Sequence, residues 1–167
     1  MKKLFLLFLM AGFAAGAYAQ ATASAAASAT IVTPIAITKT VDMNFGNVAT
    51  DGTAGTVVLA PAGTRTQTGG VTLPATAGTV AAASFDVTGE GAYTYSITLP
   101  TSLTIGDGAV TPNTMTVDAF TSNPSGTGAL TAGAQTLTVG ATLNVGASQV
   151  SAAYTNATGF DVTVNYN

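Results

Sequence analysis

The chain is predicted to fold as a single all-β, antiparallel β-sandwich of immunoglobulin-like or pilin-like type, preceded by a cleaved signal peptide. Three observations predict it. Apolar and polar residues alternate along one run after another, the period-two pattern of half-buried strands. Clusters such as Asp51-Gly52, Gly69-Gly70, Gly106-Asp107-Gly108 and Asn123-Pro124-Ser125-Gly126 separate those runs as turns. No stretch after the leader carries a helical stripe with caps. Eight or so short strands joined by turns favour a sandwich, with a barrel as second choice. The lack of a fixed-period repeat argues against a solenoid or propeller.

Residues 1–19 read as the leader. Lys2 and Lys3 form a positive n-region, residues 4–16 are almost unbroken apolar sequence, and Ala17-Tyr18-Ala19 is a small-residue cleavage site before Gln20. The apolar run is shorter than the roughly 20 residues that cross a bilayer as a helix. Later apolar stretches are all interrupted by Thr, Gly, Asn or Asp. The expectation is therefore an exported protein of periplasm, cell surface or medium, and not an integral membrane protein once the leader is removed. Residues 20–30, Gln-Ala-Thr-Ala-Ser-Ala-Ala-Ala-Ser-Ala-Thr, are too short and too mixed to hold a helix alone in water. They are expected to form an extended arm, ordered only where something receives it.

The sandwich is expected over residues 31–167. Ile31, Ile35, Ile37, Val41, Met43 and Phe45 fall on one side of the first strand and Thr38, Thr40, Asp42 and Asn44 on the other. Pro34, lacking an N–H, marks an edge or a break. Further strands are expected at 56–60, 70–73, 83–88, 92–99, 115–121, 135–145 and 160–167, where β-branched and aromatic residues crowd. Tyr93, Tyr95, Ile97 and Leu99 share one face, and so do Leu137, Val139, Ala141, Leu143 and Val145. In the last run Phe160, Val162, Val164 and Tyr166 alternate with Asp161, Thr163 and Asn165. The chain beyond the leader has about 148 residues, enough for one independent core.

Composition excludes several function classes. Beyond the leader only Lys39 and Arg65 are basic, against seven acids, for a net charge of −5. Charged residues are 7% of the chain, where a soluble domain averages about 25%. Two cations cannot track a phosphate backbone, so nucleic acid is not expected as a partner. There is no cysteine for a disulfide or a thiol nucleophile and no histidine for a general base or metal ligand. No G-x-S-x-G elbow appears, and Lys39 on a strand snorkels to the surface more readily than it reacts. Catalysis, a cofactor and a transition-metal site are therefore not expected. Asp86 and Glu90 are the acidic pair nearest to a calcium site, but the D-x-[DN]-x-[DN]-G loop is missing. The aromatics fall mostly on the apolar alternation and there is no Trp, which favours core over a sugar-stacking platform. Asn156-Ala157-Thr158 fits a glycosylation sequon but reads better as a turn.

Several segments follow one another in a familiar order. Residues 29–40, Ala-Thr-Ile-Val-Thr-Pro-Ile-Ala-Ile-Thr-Lys-Thr, lead into Met43-Asn44-Phe45-Gly46, and Gly63-Thr64-Arg65 precedes Gly69-Gly70-Val71. Ala83-Ser84-Phe85-Asp86-Val87-Thr88-Gly89 is followed by Tyr95-Ser96-Ile97-Thr98-Leu99-Pro100. Met115-Thr116-Val117-Asp118 runs on to residues 139–145, and the chain closes on Val162-Thr163-Val164-Asn165-Tyr166-Asn167. In these segments the chain resembles the DUF4402 family of exported bacterial proteins. More distantly it is similar to spore coat protein U-like domains and chaperone–usher pilins, through the arm, Asn44-Phe45-Gly46 and the penultimate Tyr166. It departs from many of those relatives in lacking an early cysteine pair.

The resemblance implies a structural envelope subunit that self-associates by β-strand addition, one copy's arm completing the next copy's sheet, with handling by a periplasmic chaperone. The scarcity of lysine and arginine fits such a role, because natural sheets use charge to keep their edges from pairing. On that reading the subunit interface comprises Thr22, Ser24, Ala26, Ser28 and Ile31 of the arm and Phe160, Val162, Val164 and Tyr166 of the terminal strand. The alternative is a self-contained adhesion module that recognises a glycan or matrix partner through its loops.

Overall fold

The computed structural model describes residues 20–167, and the leader assigned to residues 1–19 lies outside the described residues. Residues 20–31 contain no helix or strand and are exposed along their length. A compact unit spans Val32–Asn167. Its ten strands are β1 (Ala36–Val41), β2 (Ala49–Leu59), β3 (Arg65–Thr72), β4 (Ala83–Thr88), β5 (Thr94–Thr98), β6 (Ser102–Gly106), β7 (Thr114–Asn123), β8 (Thr127–Ala129), β9 (Ala134–Val145) and β10 (Thr163–Tyr166). Every pairing is antiparallel, and no helix occurs among the described residues. The expected all-β sandwich is the fold.

β9 organises it. On one side β9 pairs with β7 along most of its length. On the other side it pairs with β4 over Ala134–Val139 and then with β2 over Ala141–Val145. The exchange falls at Gly140. A Cβ there would stand 2.1 Å from the Leu59 carbonyl oxygen, so only glycine lets the departing end of β2 come this close. β7 bends at the same level, with a bulge between Asp118 and Thr121 and Ala119 at φ 47°. The large sheet therefore has two ends that share β7 and β9. One end carries β1 and β4, and the other carries β2, β3 and β6.

Each end has its own core. At the first, Phe85, Val87, Leu137 and Val139 pack against Tyr95, Leu130 and Val164, which come from the small β10-β5-β8 sheet and the residue after it. Two sheets thus face each other over interdigitated side chains. Tyr95 is fully buried and donates its hydroxyl to Gln135 Oε1 (2.7 Å), which also accepts from the Ala129 amide (2.9 Å). Gly128 lies against the Tyr95 ring, where a Cβ would come within 2.2 Å. At the second end, Val57, Val71, Val117, Ala141, Leu143 and Val145 form the core, and among the described residues no second sheet covers them. Met43 and Phe120 touch both cores.

The structure departs from the sequence expectations at several places. β2 and β3 begin earlier than expected, at Ala49 and Arg65, so that Asp51-Gly52 and Gly69-Gly70, expected as turns, lie inside strands. β6 and β8 are additional strands, each short and Gly- or Ser/Thr-bearing, so neither shows a full alternation. The first strand begins after Pro34, and a bulge between Lys39 and Val41 turns Val41 outward, leaving it 42% exposed. Tyr93 does not share the Tyr95 face: β5 begins at Thr94 and Tyr93 is 46% exposed. The last strand shortens to Thr163–Tyr166.

Candidate functional site

A concavity lies at the end of the large sheet away from the β10-β5-β8 sheet. Its floor is the inner face of β6, β7 and β9, carrying Leu103, Ile105, Met115, Val117, Leu143 and Val145. Register puts them in rows: Leu103 faces Val117, Val117 faces Leu143, and Ile105 faces Met115. Loops 42–50 and 149–160 stand over this floor as two walls, enclosing a groove of about 1070 Å³. Val117, Leu143 and Val145 are buried, whereas Leu103, Ile105 and Met115 are only half-buried.

Both walls are held by identifiable bonds. In the first, Asn44 and Ala81 exchange two backbone hydrogen bonds (2.8 and 2.9 Å), and the Asn47 amide donates to Ala77. The Arg65 guanidinium donates to the Phe45 and Asn47 carbonyls, fixing the Asn-Phe-Gly turn against the rim. Gly46, at φ 68°, has Ala77's carbonyl where a Cβ would be. In the second wall, Thr155 and Gly106 exchange backbone bonds (2.8 and 2.9 Å) and Asn156 Nδ2 donates to the Thr104 carbonyl (2.6 Å). Gln149 donates to the Tyr154 hydroxyl (2.9 Å), which donates onward to Val150 (2.7 Å). The side chain of Asn156 is thus fully engaged in a turn, its Oδ1 accepting from the amides of Thr158 and Gly159. Arg65 as a rim clamp was not legible in the sequence. The signal was present in the resemblance motif around it, without a geometry.

The free strand edges are unequally protected. β6 is bridged by Thr155, β1 carries the Lys39–Asp42 ion pair, and β3 begins at Arg65. β8 and β10 each pair only with β5 and contain neither a charge nor a proline.

The residues singled out from sequence fall into three groups. Thr22, Ser24, Ala26, Ser28 and Ile31 are exposed, outside any strand. Phe160, Val162 and Val164 point into the sandwich's own core, with Phe160 packed on Phe85 (6.3 Å between centroids) and Phe120 (5.0 Å). Tyr166 is an internal latch. Its hydroxyl accepts from the Glu90 amide (2.6 Å) and donates to the Thr33 carbonyl (2.8 Å), while its ring meets Tyr93 at 5.5 Å. Glu90 completes the latch by accepting from the Thr33 amide (3.0 Å), which holds its carboxyl below the usual range. Asp86, the other half of the candidate calcium pair, lies on the exposed face of β4 and accepts from Thr136 (3.4 Å). Among the described residues no group of three or more Asp or Glu side chains gathers where a metal could be held.

Asp107 is held in a loop of its own. Its carboxylate accepts from the Asn113 side chain (2.7 Å) and from the amides of Ala109 and Asn113, so its carboxyl too is lowered. No helix among the described residues is long and apolar enough to cross a membrane. Compared with known proteins, residues 35–166 match the family model described as "Domain of unknown function (DUF4402)". No curated protein and no solved structure matches the chain.

Proposed function

The chain belongs to the DUF4402 family, and from that premise we propose that it is an exported, non-catalytic structural subunit of the bacterial cell envelope. Copies join by β-strand addition, the arm of one completing the sandwich of the next. One observation carries the reading: among the described residues this end of the sheet is faced by loops and not by a second sheet, and Leu103, Ile105 and Met115 stay half-buried beside a groove of about 1070 Å³. Half-buried apolar side chains bordering a groove are a place where another segment can dock. Three further features support it. The uncharged β8 and β10 edges lack the usual defence against pairing. The arm at residues 20–31 carries no charge. The leader at residues 1–19 directs the chain out of the cytoplasm.

The test is a gel of the native protein sheared from cells, run unheated and boiled in adjacent lanes. Strand-joined copies bury an intermolecular ladder that resists detergent until heated, so the unheated lane should show a series of bands collapsing to one on boiling. A single monomer band in both lanes rejects assembly by strand addition. A second reading, a glycan- or matrix-binding module, draws on the loops 42–50 and 149–160 that border the groove. That reading takes the lead if the monomer band is the result.

A further inference from the structure

The chain between the arm and β1 is held at few points. Thr33 is the second residue of the compact unit, and Pro34 after it has no amide hydrogen to donate. Ile35 packs on the first core, but Thr33 and Pro34 are exposed. What fixes this stretch is the main chain of Thr33. Its amide donates to Glu90 Oε2 (3.0 Å), and its carbonyl accepts from the Tyr166 hydroxyl (2.8 Å). The groups that grip it are themselves well anchored. In the turn carrying Glu90, the Gly89 amide donates to the Gly133 carbonyl (2.9 Å) and the Gly133 amide donates to the Gly91 carbonyl (2.8 Å). The Tyr93 amide donates to the Glu90 carbonyl (3.2 Å), and the Glu90 amide donates to the Tyr166 hydroxyl (2.6 Å). Gly89 leaves the space that this hydroxyl occupies, since a Cβ there would stand 2.2 Å from it.

We propose that this latch is an acid-sensitive clasp on the root of the arm: protonation of Glu90 opens it and lengthens the free arm from residues 20–31 to residues 20–34. The inference goes beyond strand addition and holds whether or not copies join. Charge makes the Glu90 contact strong, because a carboxylate accepts an amide hydrogen bond about twice as strongly as a neutral acceptor. A protonated carboxyl keeps only the weaker bond. The bonds from Thr33 hold the Glu90 carboxyl below its ordinary value of 4.5. The clasp is therefore closed at neutral pH and loosens as pH falls through the lowered value. Among the described residues, the titratable side chains that meet the latch are the phenols of Tyr93 and Tyr166. Residues 32–35 and 130–133 contain no ionisable side chain, and Asp86 of β4 lies on the exposed face of its strand. The α-carboxylate of Asn167 is one residue beyond Tyr166, on a residue whose amide donates to Thr94 (3.3 Å). Once Thr33 is released, residues 32–34 join the arm and add about 10 Å of reach, at roughly 3.3 Å per extended residue.

Because the chain has no cysteine, a pair of spin labels can report on the clasp, at Val32→Cys and at Ala92→Cys in the exposed turn beside Glu90. Pulsed EPR of the exported protein frozen at pH 7 should give one narrow distance. At pH 3.5 a broad component should grow by roughly three- to tenfold, while the Leu137 amide in β9 keeps its protection from hydrogen exchange. In the same background Glu90→Gln, whose neutral carboxamide oxygen still accepts from Thr33, should give one distribution at both pH values. Tyr166→Phe keeps the ring and loses both hydroxyl bonds, so its broad component should already be present at pH 7. An unaltered latch with the same distance distribution at both pH values overturns the proposal. So does Glu90→Gln opening in acid as far as the unaltered latch does. Loss of Leu137 protection at pH 3.5 overturns it too, because the opening would then be global unfolding.

Discussion

The two ends of the large sheet are built from the same strands and finished differently. β7 and β9 run through both, with Met115 and Val117 alternating in β7 and Leu137, Val139, Ala141, Leu143 and Val145 in β9. At one end the β10-β5-β8 sheet closes over them, and Val87, Tyr95, Leu137 and Val139 are fully buried. At the other end only loops 42–50 and 149–160 stand over the face, and Leu103, Ile105 and Met115 remain half-buried beside a groove. Period two tells which face of a strand is apolar. What covers that face is a separate matter, and here it separates a core closed by a second sheet from one closed by loops.

The sharpest way to break the comparison is to truncate the same residue type at each end. Leu137→Ala should cost about 2–5 kcal/mol in urea unfolding, because the covered core cannot close around the lost side chain. Leu103→Ala removes atoms that already border open space and should cost less than about half as much. Equal costs would mean that the groove is closed in solution. Enlargement gives the converse, with a smaller effect. Val139→Phe has no room beneath the small sheet and should cost about 1–3 kcal/mol, whereas Val145→Phe can extend into the groove and should stay within about 1 kcal/mol. If Val145→Phe is as costly as Val139→Phe, the volume over β9 is not available to a guest.

The smallest effect is on pH dependence, and it divides between the ends. Glu90 latches the covered end and Asp107 orders a loop at the open one, and hydrogen bonds lower both carboxyls. A depressed folded pKa contributes stability that is present above the unfolded value and is lost as pH falls through the folded value. As pH falls below about 4.5 the Thr33 amide should therefore lose protection from hydrogen exchange as Glu90 protonates. Glu90→Gln should flatten that loss at Thr33 and leave the acid response of the Asn113 amide unchanged. Parallel changes at both amides would show a global acid transition instead of two local ones.

Much of the architecture was legible along the chain. β4 falls on the expected residues, and β7 and β9 lie within one or two residues of their predicted limits, because long alternations of β-branched residues leave little choice. β8 was not legible, since Thr127-Gly128-Ala129 carries no alternation and is a strand only because β5 offers it a partner. Val41 was placed on the wrong face because the bulge between Lys39 and Val41 shifts the pairing register there. The candidate site was half legible. The alternations at 115–121 and 135–145 named four of its six floor residues, but the groove needs a missing layer, which no local pattern encodes.

The latch between Thr33, Glu90 and Tyr166 marks the same boundary. The penultimate tyrosine drew notice in the sequence, yet its role joins residues up to 133 positions apart. By itself the sequence determined the all-β class, the low charge, the absence of histidine and cysteine chemistry, and the uncharged arm, because each is a property of composition or of neighbouring residues. Tertiary structure alone decided which half of the sheet is covered and which edges are free. It also decided that Tyr166 is bonded within its own domain, because each of these depends on which distant strand comes to lie alongside.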